Sequence, residues 1–214
     1  MLNRITELLP VHKMHELFLA TRNPHKTREL GQILGPGFAL EDLRRRPDLG
    51  EVIEDGTTFL ENARLKAVTI SQQVAGLVVA DDSGLEVDSL GGAPGVCSAR
   101  YAGEGATDEA NRRRLLEELN RLPGGSSRAA RFRCVLVLAR DGDVLATFDG
   151  AVTGQILGAE RGDAGFGYDP LFQPDGFERS CAELRPEEKN AISHRAVAAA
   201  KLRIFLRSTG SAPD

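Results

Sequence analysis

The stretch LFLATRNPHK at residues 17–26 places a strand-like segment directly before a helix. Residues 17–21 form the short apolar run that is typical of a strand buried in a sheet. Asn23 and Pro24 follow as a favourable N-cap and first helical residue. The helix is expected to continue to about Gly35, because glycine commonly follows the last helical turn.

Strand-like and helix-like segments go on alternating along the chain, which favours the α/β class. A capping box at residues 58–61 (TFLE) begins a second helix, expected to end near Gly76. Later helices are expected to begin at Thr107 or Asp108, at Pro186 and after Ser193, the last with Val197, Leu202 and Phe205 facing inward. Strands are predicted at residues 52–53, 77–80, 131–138, 144–148, 152–157 and 171–172, with a hairpin turn at 141–142 and a long glycine-rich loop at 83–105.

Length and charge exclude several classes of protein. The chain has 214 residues, so it forms one large domain or two small lobes, and we assign the domain to residues 14–207 between an extension (1–13) and a tail (208–214). The net charge of −4 argues against a nucleic-acid-binding protein, which normally carries a basic stripe. No apolar run approaches the length of a membrane span, and residues 1–13 lack the apolar core of a secretory signal.

The three cysteines are Cys97, Cys134 and Cys181. An odd number of well-separated cysteines without a C-x-x-C pair is typical of a reducing compartment and argues against a zinc knuckle or a disulfide framework. We therefore expect inert thiols and a cytoplasmic location.

Two candidate sites follow predicted strands. TRNPHK at residues 21–26 begins a helix whose free N–H groups favour phosphate, unless this is an ordinary capped helix with a solvated Lys26. In ADDSG at residues 80–84, the adjacent carboxylates of Asp81 and Asp82 should point in different directions, one towards a cleft and the other anchoring the loop. Such carboxylates suit Mg²⁺, although an Asx-type turn closing the strand is the simpler alternative.

Two further candidates lie near the C-terminus. His194 and Arg195 place cations in the first turn of a helix, as Lys26 does, and Lys189 adds another. This repetition suggests an anionic ligand between them, against the alternative of solvated surface charge. In GFGYDP at residues 165–170, Phe166 or Tyr168 would stack on a base unless both belong to the core. The run at residues 112–114 (RRR) is most simply a solvated helix face.

Motifs of other nucleotide enzymes and of serine hydrolases do not occur. The chain has no Walker A sequence, no G-x-G-x-x-G opening a helix and no G-x-S-x-G elbow. The motifs that do occur, taken in order, resemble those of the inosine triphosphate pyrophosphatase family, the house-cleaning XTP/dITP diphosphatases. They are LATRNPHK (19–26), DGTTFLENARLKA (55–67), VADDSGLEVDSLGGAPGVCSARYAG (79–103), FGYDPLF (166–172) and EEKNAISHRAVAAAK (187–201).

The resemblance implies a mixed twisted sheet with flanking helices, two lobes around a central substrate groove, and a homodimer. It implies Mg²⁺-dependent hydrolysis of ITP, dITP and XTP to the nucleoside monophosphate and pyrophosphate. Asp82 would be the proton acceptor and a metal ligand, helped by Glu54. The residues that would bind the nucleotide are Thr21, Arg22, Asn23, Pro24, His25 and Lys26 at the triphosphate, Ser83, Phe166, Gly167, Tyr168, Asp169 and Lys189 along the pocket, and His194 and Arg195 at the base.

Three features depart from the family pattern: Arg22 stands where many members have glycine, Cys97 replaces a frequent tyrosine, and the first thirteen residues are extra. Two alternatives stay open. One is a pyrophosphatase with a modified-pyrimidine or broad nucleotide preference, and the other is a sensor that binds a nucleotide without cleaving it.

Overall fold

The computed structural model describes residues 14–209 as a six-stranded mixed sheet with helices on both faces. The sheet order is β2-β1-β3-β4-β5-β6, with β1 parallel to β2 and β3 and all other neighbours antiparallel. The predicted mixed α/β class is confirmed. The strands are β1 (His15–Leu19), β2 (Phe38–Asp42), β3 (Leu77–Val87), β4 (Ala129–Arg140), β5 (Asp143–Ile156) and β6 (Phe172–Pro174), and the helices are α1 (Pro24–Leu34), α2 (Phe59–Ser71), α3 (Asp108–Arg121), α4 (Pro186–Ile192) and α5 (His194–Ser208).

Local capping signals determine where the helices begin. The Asn23 side chain accepts hydrogen bonds from the first-turn N–H groups of α1, and Gly35 follows the end of that helix. Thr58 and Glu61 form the predicted capping box of α2, and Ser193 caps α5. The predicted starts of these helices are therefore confirmed, whereas α2 ends at Ser71, before the predicted Gly76.

The central strand β3 passes from one part of the hydrophobic core to another. Val78 and Ala80 pack against α2 on one face, and Leu77 and Val79 pack against α1 and α5 on the other. Further along, Leu85 packs against α3 in a third cluster. The polar residues 81–83 therefore lie in the middle of this core strand, at the junction between these clusters.

This course of β3 corrects two predictions. The strand was expected to end at Ala80 and to be followed by a loop over residues 83–105, but it continues to Val87. The alternative of an Asx-type turn at Asp81 is wrong for the same reason. Pairing with β4 along this whole length supplies the backbone hydrogen bonds that a glycine-rich sequence did not indicate. Short 3-10 turns at Asp88–Leu90 and Gly95–Arg100 follow.

A glycine in β5 positions the start of α5. The predicted strands at 144–148 and 152–157 are one continuous strand, and Gly150 lies within it. A Cβ atom at Gly150 would lie 2.1 Å from the carbonyl oxygen of His194 and 2.6 Å from the Ala198 nitrogen. The glycine is therefore a point of close approach that lets the first turn of α5 pack onto the sheet.

Four smaller differences separate sequence and structure. The predicted strand at residues 52–53 is irregular chain, and the unpredicted β2 pairs with β1 instead. Ile53 is 79% exposed, and two acidic residues, Glu54 and Asp55, follow it in the sequence. Val197 is 40% exposed because Ala198, Ala199 and Leu202 form the buried face of α5. The helix includes Ser208, which was placed in the tail, and the strand expected at 171–172 is β6, one residue later. The extension (1–13) and most of the tail lie outside the described residues.

None of the helices between residues 14 and 209 combines the length and the apolar character that crossing a membrane requires.

Candidate active site

A single cavity of about 430 Å³ collects most of the predicted site residues. Lys26, Asp82, Lys189 and Arg195 come from α1, β3, α4 and α5, and all four line this cavity. The other predicted residues that line it are Thr21, Arg22, Asn23, Glu54, Ser83, Phe166, Gly167, Tyr168, Asp169 and His194. Pro24 and His25 do not line it. The shared cavity that the sequence hypothesis requires is therefore present.

Asp81 and Asp82 point to opposite faces of β3, as adjacent residues in a strand must. Asp82 lies on the face that packs against α2, and Asp81 on the face that packs against α1 and α5. Both side chains are buried. The prediction that the two carboxylates diverge is confirmed, but Asp81 binds cations from two helices and does not anchor a loop.

Asp82 forms a triad with Lys66 and Glu54, in which Asp82 and Lys66 are buried and Glu54 is partly exposed. The Lys66 ammonium donates to Asp82 Oδ1 at 2.9 Å, to Glu54 Oε2 at 2.8 Å and to the carbonyl oxygen of Asp81 at 3.0 Å. Burial would lower the pKa of Lys66, but Asp82 and Glu54 outweigh it and raise that pKa. Lys66 is therefore charged, and it fixes the orientation of both carboxylates.

The pKa values of the two carboxylates in this triad are shifted in opposite directions. Burial raises the pKa of Asp82 above its ordinary value, and the opposing attraction of Lys66 is too weak to reverse this. Glu54 is less enclosed, so Lys66 outweighs burial and lowers the pKa of Glu54. Asp82 Oδ2 is buried and has no hydrogen-bond partner among residues 14–209. One oxygen of Asp82 is thus held by Lys66, and the other has no partner in this part of the chain.

Asp81 joins α1 to α5. Its Oδ1 lies 2.6 Å from Lys26 Nζ and its Oδ2 lies 2.7 Å from Arg195 Nε. Ser83 Oγ also donates to Oδ1 at 2.8 Å. Burial opposes ionisation of Asp81, but Arg195 and Lys26 outweigh it and hold the pKa of Asp81 well below its ordinary value.

A second carboxylate, Glu29, pairs with both cations of the C-terminal motif. It contacts Arg195 Nη1, and its other oxygen lies 2.6 Å from Lys189 Nζ. Lys189 Nζ is also 2.6 Å from Asp169 Oδ2. Arg195 is 1% exposed and Lys189 7%, so the alternative of solvated surface charge is wrong. The partners of these cations are three carboxylates of the protein itself, Asp81, Glu29 and Asp169, and the anionic ligand that the pattern suggested stays a prediction.

The loop predicted to bind phosphate is largely capped by its own side chains. Asn23 Oδ1 accepts from the N–H groups of His25 and Lys26, and Arg22 donates to the carbonyl oxygens of Leu43 and Leu49. Arg22 therefore ties the loop to the chain after β2. Lys26 reaches the cavity, so it is not the solvated lysine of the alternative reading.

The two aromatic residues of GFGYDP have different surroundings. Tyr168 is buried in the third core cluster and donates its hydroxyl to the carbonyl oxygen of Ser98 at 2.9 Å. Phe166 is only partly buried, lines the cavity, and stacks on His25 with ring centroids 5.1 Å apart. Lys189 Nζ lies 5.1 Å from the centre of the Phe166 ring. Phe166 is therefore the aromatic ring that is available for stacking.

The Ham1 family model matches residues 17–205, which is most of the chain. The chain belongs to the Ham1 family.

Ham1 relatives cover nearly the whole chain. The dITP/XTP pyrophosphatase of Geobacter sulfurreducens is 50% identical over 195 residues, covering 90% of this chain and 97% of the relative. The protein of the same name from Streptococcus thermophilus is 50% identical over 187 residues, and the match covers 87% of this chain but only 58% of that relative's length. Among solved structures, a HAM1 protein from Coxiella burnetii has a TM-score of 0.80 at 38% identity, covering 91% of this chain and 100% of that one. The Staphylococcus aureus Ham1 protein has a TM-score of 0.79 at 37% identity and covers 91% and 99%.

Sequence reasoning missed two charged residues of this Ham1 site, Lys66 and Glu29, and it missed the cation-binding role of Asp81. Lys66 carried a usable signal, because it falls beside the helical face formed by Phe59, Ala63, Ala67 and Ile70. A lysine next to an apolar face needs a buried partner. Glu29 carried no comparable signal, because its partners come from α4 and α5.

His194 is a buried neutral histidine in this site. Its ring stacks on Phe132 with centroids 4.9 Å apart, and Nδ1 has no hydrogen-bond partner in the described part of the chain. Burial, reinforced by the positive charge of Arg195, lowers the pKa of His194 well below its ordinary value. The prediction of a cation at this position is therefore wrong.

The buried neutral His194 should make stability depend on pH. The unfolded chain binds a proton at His194 below about pH 6.5 while the folded chain does not, so its contribution is complete above that pH and is lost as the pH falls. We expect His194→Gln to remove a slope of up to about 1.4 kcal/mol per pH unit from the free energy of unfolding. Urea unfolding of both proteins between about pH 7 and pH 5 measures this slope, and equal slopes would contradict the assignment.

Proposed function

We propose that the chain hydrolyses ITP, dITP and XTP to the nucleoside monophosphate and pyrophosphate. The observation that carries this proposal is the convergence of Lys26, Lys189 and Arg195 with Asp82 on one cavity. Cations from separate helices suit a polyphosphate, and a buried carboxylate suits the activation of water. The names of the Ham1 relatives support the same reaction.

Lys26 and Lys66 provide the positive charge nearest Asp82. Both ammonium groups contact the carbonyl oxygen of Asp81, at 3.3 Å and 3.0 Å, so α1 and α2 bring their cations to the same point on β3. Lys66 uses its three donors within the protein, whereas Lys26 has only Asp81 as a partner among residues 14–209. Of these two lysines, Lys26 is therefore the one with a donor left for a phosphate oxygen.

Asp82 is the proton acceptor for the attacking water. Lys66 holds Asp82 Oδ1, and Oδ2 keeps its lone pairs for the water. Burial raises the pKa of Asp82, which makes it a better base than an ordinary aspartate. Positioning and charge stabilisation supply most of the catalysis of phosphoryl transfer, so no covalent intermediate is needed.

Asp82 and Glu54 fit a magnesium ion. No group of three or more His, Cys, Asp or Glu side chains within residues 14–209 forms a complete metal site. Mg²⁺, however, usually takes one or two carboxylates and completes its shell with substrate phosphates and water. Glu54 and the unpartnered Asp82 Oδ2 would supply those carboxylates. When bound, the ion would lower the pKa of a bound water and stabilise charge on the phosphates.

Selection of a 6-oxo purine is assigned to His194 and Arg195. Hypoxanthine and xanthine present an acceptor where adenine presents a donor. Arg195 keeps N–H groups beyond those bound to Asp81, Glu29 and Ser83, and His194 Nδ1 is unpartnered among the described residues. A donor that meets an adenine amino group stays unpaired, which discriminates strongly against ATP.

A pyrophosphate-release assay over ITP, XTP, dITP, GTP, ATP and modified pyrimidine triphosphates, with and without Mg²⁺, tests these assignments. We expect release from the first three with Mg²⁺ and little from ATP. Equal rates on all substrates would favour the broad-preference alternative, and nucleotide binding without release would favour a sensor.

We further propose a homodimer and a cytoplasmic location, and light scattering of the purified protein tests the dimer.

A further inference from the structure

Arg112, the first residue of the arginine run on α3, is not solvated. The side chain of Arg112 is only 14% exposed, and its Nε lies 2.9 Å from Glu160 Oε1. Arg112 Nη1 donates to the carbonyl oxygen of Gly167 at 2.9 Å, 55 residues further along the chain. The prediction of a solvated face is therefore wrong for Arg112, whereas the next residue, Arg113, is exposed.

α3 also binds the backbone N–H of Gly167. Asp108, four residues before Arg112, accepts a hydrogen bond from the N–H of Gly167 at 2.7 Å. Residues four apart lie on one face of a helix, so the two side chains together grip one residue of the loop. Gly167 has φ +61°, which is a left-handed conformation. Glycine adopts positive and negative φ about equally readily, so contacts with other residues must select this conformation.

Gly167, which Asp108 and Arg112 bind, directly follows Phe166 in the chain. The Phe166 N–H donates to Asp169 Oδ2 at 2.9 Å, so Asp169 fixes one side of the Phe166 backbone and α3 fixes the other. α3 belongs to the third core cluster, whereas the cations around the Phe166 ring come from α4 and α5. The position of the Phe166 ring therefore depends on contacts from α3 as well as on its surroundings in α4 and α5.

We propose that Arg112 and Asp108 are positioning residues that hold the Phe166 ring in place for the purine base. Asp108 and Gly167 line the cavity, but Arg112 does not, so Arg112 acts through Gly167 and does not contact the substrate. The proposal rests on the proposed function in one respect, which is that the ring meets a base. It predicts that loss of Arg112 weakens binding of the nucleoside part and leaves binding of the phosphates unchanged.

Two inhibitors separate these parts of the site. Inosine monophosphate probes the base and ribose, and inorganic tripolyphosphate probes the phosphate subsite. We expect Arg112→Met to raise the inhibition constant of inosine monophosphate by about fivefold or more, the lower end of typical coupling between sites. The constant for tripolyphosphate should not change. Arg112→Lys should restore part of the loss, because lysine still donates to the Gly167 carbonyl, and Arg113→Met is the matched control on the same helix.

A fluorescence measurement tests the positioning without relying on nucleotide chemistry. The chain contains no tryptophan, so Phe166→Trp introduces a single reporter at the ring. In that background, Arg112→Met should increase quenching by acrylamide, and Arg113→Met should not. Equal quenching in all three proteins would overturn the proposal, as would equal increases in both inhibition constants. Failure of the wild-type protein to bind or cleave inosine nucleotides would count against the proposed function alone, because the quenching comparison would still decide the role of Arg112.

Discussion

Asp82→Asn should lower kcat for pyrophosphate release from ITP by on the order of 10³-fold, within the range that a positioned general base contributes. The amide oxygen of asparagine can still accept the hydrogen bond from Lys66, so the side chain should keep its place. What the variant loses is the carboxylate that would accept a proton and bind Mg²⁺. Steady-state kinetics should therefore show the loss in kcat with little change in KM.

Asp149→Asn is the matched control for this prediction. Asp149 lies on β5, is exposed, and pairs with Lys201 at the surface. The same chemical change there should leave the kinetics unaltered. An Asp82→Asn protein that keeps a tenth or more of the wild-type kcat would show that another group accepts the proton.

The parts of the fold that the sequence predicted correctly depend on local signals. Asn23 with Pro24, the capping box from Thr58 to Glu61, and Ser193 each determine a helix start through contacts within one helical turn. The alternating pattern of β4 and the turn at residues 141–142 were predicted for the same reason. Such contacts are independent of the rest of the molecule, so they can be inferred without it.

The errors occurred where distant residues decide the structure. Residues 81–84 look like a turn because they combine two carboxylates, a serine and a glycine, yet they are the middle of β3. The charge of Asp81 is compatible with a core strand only because Lys26 and Arg195 neutralise it, and both lie far away in the sequence. Gly150 lies between the two strands predicted at 144–148 and 152–157, which are one strand, and the helix that requires its missing side chain comes some 40 residues later.

The site residues show the same division. The pattern of cations at helix starts predicted an anionic ligand, and that stays a prediction. It did not indicate that Lys26, Lys189 and Arg195 are paired with the protein's own carboxylates, Asp81, Glu29 and Asp169. Ordered ion pairs with the protein's own carboxylates therefore hold the cations that line the cavity in place.

Asp81→Asn should destabilise the folded chain by about 3–5 kcal/mol, the usual result of removing one partner from a buried ionic cluster. Among residues 14–209, Asp81 is the one carboxylate that contacts both Lys26 and Arg195, so its neutralisation leaves charge uncompensated in α1 and α5 together. Asparagine has nearly the same shape, so packing is a minor part of the effect. Urea unfolding near neutral pH measures the change in the free energy of unfolding.

An exposed ion pair provides the comparison for this value. Asp149 and Lys201 are 72% and 47% exposed, and removing that pair should change the free energy by less than about 1 kcal/mol. A double-mutant cycle of Asp81→Asn with Lys26→Met should show a large coupling, because the second change removes a charge that the first left unpaired. Losses of similar size at Asp81 and Asp149 would mean that the buried cluster is already solvated. In that case the preordered ion pairs would not explain how cations from α1 and α5 are held on one cavity.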